Sequence, residues 1–179
     1  MGAIDYLPHY SYDDYTQWEG DWELIDGTAY AMAPAPSVMH QNISLNIAVE
    51  FRQKLKECQH CKALMEVDYK IDEHTTLRPD VLVACNISID ANFIDSVPEI
   101  IFEVLSPSTK LKDRTLKFQV YQNQGVKYYI LVDPKSKMAE IYTLSSKGLY
   151  VLSTEVNDEN ILFEFDACTV DYSFKEIWQ

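Results

Sequence analysis

A chain of 179 residues, 47% hydrophobic and 24% charged, is long enough for one well-packed domain and has the composition of a folded globular protein. Its 15 basic residues against 28 acidic ones leave a formal charge of −13, which weighs against any nucleic-acid partner, since phosphate binding depends on neutralisation by Lys and Arg, and fits a site where a cation offsets carboxylates. Apolar runs are only a few residues long and the first residues carry neither a basic stretch nor an apolar signal core, so the expectation is a cytoplasmic protein with no membrane partner.

In chain order, Ser11 can cap a short helix carrying Tyr12, Tyr15 and Trp18. Trp22 to Ile25, Asp26-Gly27 and Thr28 to Ala33 then read as a β-hairpin, with Pro34 and Pro36 ending the second strand. Ile43, Ile47, Phe51 and Leu55 recur every four residues and predict an amphipathic helix beginning near His40. Strict alternation from Met65 to Asp72 predicts one half-buried strand. Val81 to Ala84 and Glu99 to Leu105 predict two buried strands. A helix carrying Leu116 and Val120 follows, closed by Gly125. Tyr128 to Val132 is a further buried strand, with Met138 to Leu144 as its hairpin partner. Residues 148–155 and 160–165 read as edge strands, and a short helix is expected near 173–178. The strand–helix–strand unit from Glu99 to Val132 implies a parallel pair within a mixed sheet, hence an α/β sandwich.

The four cysteines leave two readings. Cys58-Gln59-His60-Cys61 has the spacing of half a zinc site or of a redox pair. Cys85 and Cys168 stand apart in apolar surroundings, so the second half is missing and free thiols are expected.

Three stretches carry chemistry. Asp80 follows an Arg-Pro pair at the mouth of one apolar strand. Glu103 lies inside the next, within IIFEVL, where a carboxylate is costly to bury without a cation, a proton or hydrogen bonds. On neighbouring strands the two could point at one spot, and two hard oxygen ligands plus water suit Mg²⁺. Lys117 could supply a positive group beside them. Each residue also has a plainer reading. Asp80 could cap a turn, Glu103 could pair with Arg78 or Arg114, and Lys117 with Asp113 could be a surface pair one helical turn apart. Glu23 could be a solvated strand residue, and His40 a helix cap.

The pattern RPDVLVAC, followed by PEIIFEVLSPSTKLKDRTLKFQVYQNQGVKYYILVDP, resembles the Uma-two family of restriction-endonuclease-like proteins, within the PD-(D/E)XK nuclease superfamily. The resemblance covers roughly Trp18 to Leu144 and includes WELIDGTAYAMAPAPSVMHQNIS as the family's opening hairpin and helix. It implies a restriction-endonuclease-like fold with a central mixed β-sheet flanked by helices; since no linker, low-complexity tract or internal repeat divides residues 1–179, they are expected to form a single domain. It further implies Asp80 and Glu103 as metal ligands and Lys117 as the catalytic cation, with Glu23 and His40 as further site residues. The superfamily places its Lys two residues after the Glu, where this chain has Leu105; members of this family draw the Lys from the following helix, where Lys117 stands. The implied activity is Mg²⁺-dependent hydrolysis of DNA phosphodiesters, with Mn²⁺ as a substitute; a homodimer is expected because two cuts in a duplex suit a twofold and the apolar edge hairpins could self-pair. The alternative is a non-catalytic binding or assembly module that keeps the nuclease scaffold.

Overall fold

Asp26 and Gly27 have φ of 47° and 70°, the mirror-image turn geometry whose twist matches a two-stranded ribbon. They join β1 (Trp22–Ile25) to β2 (Thr28–Ala31), and a side chain on Gly27 would collide with the ring of His9. This structure, a computed structural model, describes residues 7–32 and 34–179. The amino-terminal residues used in the export reading, and Ala33 at the predicted end of the second strand, lie outside that range. Ser11 caps α1 (Tyr12–Tyr15) through a reciprocal bond pair with Asp14. The long helix α2 (Val38–Lys54) begins two residues before His40, because Ser37 accepts a bond from the His40 N–H and is the cap.

The remaining elements are a 3₁₀ turn (Leu55–Glu57), β3 (Cys61–Met65), β4 (Tyr69–Asp72), β5 (Thr75–Leu77), β6 (Val81–Cys85), β7 (Ile100–Val104), α3 (Lys110–Lys112), a π-helical turn (Asp113–Lys117), α4 (Phe118–Gln124), β8 (Tyr128–Asp133), β9 (Met138–Leu144), β10 (Tyr150–Val156), β11 (Asn160–Phe165), β12 (Cys168–Ser173) and a terminal 3₁₀ turn (Phe174–Trp178). Gly125 ends α4 at φ 84°, the left-handed position that glycine occupies without a side-chain clash.

Six strands form a mixed sheet in the order β10-β9-β8-β7-β6-β3, with β7 and β8 parallel as the strand–helix–strand unit requires. Four form a smaller sheet, β2-β1-β5-β4, and β11 pairs with β12 separately. Alternation along β7 decides what each face meets. Ile100, Phe102 and Val104 face one core with Ile43, Ile47 and Phe51 of α2 and with Phe163, Tyr172 and Phe174. Ile101 and Leu105 face a second core with Tyr121, Tyr129, Leu131 and the small-sheet residues Ile25, Tyr69 and Leu77. Each such side chain, fully buried, contributes about 1.5–3 kcal/mol.

Three expectations need correction. The alternating run from Met65 to Asp72 is two strands in different sheets. Glu66, at φ 49°, turns the chain out of β3 toward β4, and a period of two is blind to such a break. The C-terminal helix is a 3₁₀ turn, preceded by the strand β12, which, like the short strand β5, was not foreseen. The cysteines are not four free thiols. Cys58 is bonded to Cys168 and Cys61 to Cys85, because the β3–β6 register sets Cys61 opposite Cys85 and the β11–β12 hairpin brings Cys168 back across 110 residues.

Candidate active site

The segment 78–80 carries the chain from β5 in the small sheet to β6 in the large one, which is why an acidic residue stands at the mouth of an apolar strand. Arg78 anchors this crossover. Its guanidinium pairs with Asp68 at 2.8 Å and Asp21 at 2.7 Å, and its backbone N–H donates to Glu23 Oε1 at 3.1 Å. The Glu66 N–H donates to the Asp80 carbonyl at 3.3 Å, so the two inter-sheet crossings run side by side. Val81 pairs with Phe102, and one step further along that antiparallel register Asp80 stands beside Glu103. Residues directly opposite in such a pair share a face. The Asp80 carboxylate is held by the Val104 N–H, at 2.7 Å from Oδ2, and by His40 Nε2, 3.2 Å from the same oxygen.

Lys117 reaches this point from the π-helical turn. Such a turn rotates the side chains after it relative to a regular helix and recurs at functional sites. Its ammonium donates to Glu103 Oε1 at 2.9 Å, lies 2.8 Å from Glu23 Oε1 and is 3.7 Å from Asp113 Oδ1. The Tyr121 hydroxyl donates to the same Glu103 oxygen at 3.1 Å. Glu23 also pairs with Lys112, and the Tyr129 hydroxyl donates to the Asp113 carbonyl at 2.8 Å.

Glu23, Glu103, Asp113 and Lys117 are all at most 4% exposed, so their protonation is set mainly by burial and by one another. Burial lifts the Glu103 carboxyl well above the usual carboxylate range. Lys117 opposes that, while Asp113, Asp80 and Glu23 add to it. Asp113 is raised for the same first reason, again against Lys117. Burial works against a charged Lys117, but the surrounding carboxylates outweigh it and hold the ammonium above its ordinary range. Burial would raise Glu23 too; Lys117 and Lys112 overcome it and leave Glu23 lowered. His40 is raised, the hydrogen bond and charge of Asp80 outweighing burial.

The structure therefore gathers all five of the residues singled out in the sequence. Asp80, Glu103, Lys117, Glu23 and His40 line one cleft of about 920 Å³. Several plainer readings fail on geometry. Glu23 is fully buried rather than solvated, and Lys117 with Asp113 is a buried pair rather than a surface one. Glu103 pairs with Lys117, while Arg78 and Arg114 are taken by Asp68, Asp21 and Glu140. Lys112 and Tyr121 were missed, and Asp113 was seen only as a surface partner. For Asp113 and Tyr121 the signal was their four-residue recurrence with Lys117, a polar stripe down one side of the helical segment; Lys112 lies off that stripe and had none.

The net charge of −13 conceals an uneven distribution. Six basic residues line the cleft, out of 15 in the chain, against six acidic ones out of 28. Lys110, Lys135 and Lys137 at its rim are exposed and make no ion pair among the described residues. Elsewhere, no helix among the described residues is long and apolar enough to cross a membrane.

The fold is that of the restriction-endonuclease-like proteins. A crystal structure described as "a putative nuclease belonging to DUF820 from Anabaena variabilis ATCC 29413" matches it with a TM-score of 0.72 at 17% identity, over 94% of this chain and 97% of that one. The sequence model of the Uma2 family, described as "Putative restriction endonuclease", matches residues 12–167, and the chain belongs to that family. An uncharacterized protein of Synechocystis sp. (strain ATCC 27184 / PCC 6803 / Kazusa) is 30% identical over 155 residues, covering 82% of this chain and 80% of the relative. The family and the fold class are those expected from the sequence.

Proposed function

We propose that the chain is a Mg²⁺-dependent endonuclease that hydrolyses phosphodiester bonds of DNA, with Mn²⁺ able to replace Mg²⁺. The observation that carries this reading is the placement of Asp80 beside Glu103 on neighbouring strands, with the Lys117 ammonium 2.9 Å from Glu103, in a cleft rimmed by exposed lysines. The donor set fits a hard cation. Among the described residues nothing hydrogen-bonds Asp80 Oδ1 or Glu103 Oε2, and the buried Asp113 Oδ1 also has no hydrogen-bond partner. Asp80 and Glu103 are the proposed ligands. When bound there, the cation polarises the phosphate and acidifies a coordinated water.

The chain's own groups do the rest. Lys117 directs the attacking water or stabilises charge building on the phosphate. Glu23 holds that ammonium in place together with Lys112, and His40 fixes the Asp80 carboxylate. Lys110, Lys135 and Lys137 receive the nucleic-acid backbone, a role that local rather than total charge decides. We take the active form to be a cytoplasmic homodimer, since two cuts in a duplex suit a twofold. The edge strand β10 exposes Val151 and Leu152, with Leu149 just before it, for self-pairing.

Leu105 at the superfamily's lysine position and the charge of −13 favour the second reading, a binding module without turnover. Plasmid nicking separates the two. Wild type should nick in Mg²⁺ or Mn²⁺ and lose activity steeply with salt, while Glu103→Gln should bind DNA about as well and cut none. Equal nicking by both preparations, or none by either despite DNA binding, would leave the binding module standing.

A further inference from the structure

At the end of β6 opposite Asp80, three separate stretches bring all four cysteines of the chain to one place. The first is the turn Cys58-Gln59-His60-Cys61, closed by the Cys61 N–H donating to the Cys58 carbonyl at 2.9 Å. Cys85 ends β6 and Cys168 begins β12. The two bonded pairs are themselves in contact, with Cys61 Sγ 3.9 Å from Cys168 Sγ. His60 Nε2 lies 3.8 Å from Cys168 Sγ and 3.1 Å from Asp166 Oδ2. The ligand atoms of His60, Cys61, Cys85 and Asp166 all fall within 4.8 Å of one another.

Two independent cross-links could sit anywhere in the fold, and a chain with two cores of this size needs neither for stability. Contact between the two pairs, Cys61 Sγ against Cys168 Sγ, is instead what one ion shared by both would require. A tetrahedral zinc with bonds of about 2.3 Å sets its sulfurs about 3.8 Å apart, close to the 3.9 Å between Cys61 and Cys168. Cys58, Cys61 and Cys168 are buried, so the centre would be shielded from competing water. Thiolates, being soft, take zinc in preference to the hard cations suited to the carboxylate cleft.

We propose that in the reduced chain Cys58, Cys61, Cys85 and Cys168 bind one Zn²⁺ as a structural Cys₄ centre, supported from outside by the His60–Asp166 pair. The centre takes no part in phosphodiester chemistry and does not depend on it. It ties the turn after α2, the end of β6 and the β11–β12 hairpin together, elements that are otherwise distant in sequence. Loading from the disulfide form requires a dithiol reductant. Two equivalents supply four electrons and four protons, both S–S bonds break to give four thiols, and the reductant leaves as two cyclic disulfides. Zinc binding then displaces up to four protons as the sulfurs become thiolates.

The test uses the full chain, reduced and desalted without oxygen, carrying Glu103→Gln so that the carboxylate cleft does not add to the stoichiometry. Titration with Co²⁺ should saturate at one ion per chain, with intense sulfur-to-metal charge-transfer absorption and tetrahedral visible bands, both lost when Zn²⁺ is added. Zn²⁺ should raise the melting temperature of the reduced form and leave the disulfide form unchanged. Cys168→Ser should weaken binding by at least about tenfold, whereas His60→Ala should keep the stoichiometry and the charge-transfer bands. Should Cys168→Ser fail to fold, the unmutated cysteines give the same answer by alkylation, all four being protected by one equivalent of Zn²⁺. A Co²⁺ spectrum without thiolate bands, or alkylation at the same rate with and without Zn²⁺, overturns the proposal; so does loss of the bands in His60→Ala, which would place the imidazole among the ligands.

Discussion

Lys117 Nζ stands 2.9 Å from Glu103 Oε1 across 14 residues of sequence. Leu105, two residues after Glu103, instead joins the apolar core on that face. The cation of this site therefore arrives from the helical segment rather than from the strand, and the π-helical turn sets its direction. Because the ammonium serves Glu23, Glu103 and Asp113 at once, its removal leaves buried carboxylates short of their cation.

Lys117→Ala is expected to lower nicking by about 10²–10³-fold, the usual cost of losing one aimed charge in a reaction centre. It should also lower stability by about 3–5 kcal/mol near neutral pH, because buried acids are left unpaired. At about pH 5 the carboxyls accept protons more readily, so the penalty should shrink there. Urea unfolding of both proteins at pH 5 and pH 8 measures this; an unchanged difference between the two pH values would mean that Lys117 is not paired as described.

Metal binding should strengthen as pH rises. Burial, reinforced by Asp113, Asp80 and Glu23, raises the Glu103 carboxyl, so a proton competes with the cation for its oxygens. Titration calorimetry with Mn²⁺ should give the tighter constant at about pH 8 and the weaker at about pH 5, where protons compete more strongly for the same oxygens. Asp80→Ala should abolish the heat at both. Retained affinity in that variant would move the metal elsewhere.

His40 contributes to stability in the opposite pH sense to an ordinary paired acid. Although burial disfavours its charge, Asp80 outweighs that and raises the imidazole. The folded state then holds the proton more tightly than the unfolded chain. The stabilisation is complete below the ordinary value near 6.5 and fades as pH climbs through the raised one. Wild type should lose more stability than His40→Gln between pH 6 and pH 8. Parallel curves for the two would show that the imidazole is not charged beside Asp80.

Lys110→Ala, Lys135→Ala and Lys137→Ala should weaken DNA binding alike on every sequence tested. Each should reduce the salt slope of log affinity by about 1, as loss of one phosphate contact predicts. All three side chains are exposed, so melting should change little. An unaltered salt slope in the triple variant would remove the rim from the DNA path.

Much of the fold was legible locally. Asp26-Gly27, the Ser11 cap, the left-handed Gly125 and the four-residue spacing along α2 each depend on neighbours within a turn or two, and each took the expected form. The segment from Met65 to Asp72 did not, because alternation reports which side chains share a face and says nothing of a bend at Glu66 between two sheets. The strand β12 escaped notice because its pairing with β11 is a tertiary fact for a run as mixed as CTVDYS.

Within the candidate site, sequence alone determined the family, the presence of two acids at apolar strands, and a lysine on the helical segment that follows. These rest on residue type beside residue type. Only the tertiary structure decided that Glu23 is buried, that Lys112, Asp113 and Tyr121 join the cluster, that lysines rim the cleft, and that four cysteines meet across as many as 110 residues. A strand residue alternates identically whether its face meets water or a second sheet. What covers that face is settled by contacts far apart in the chain, and no local pattern carries that information.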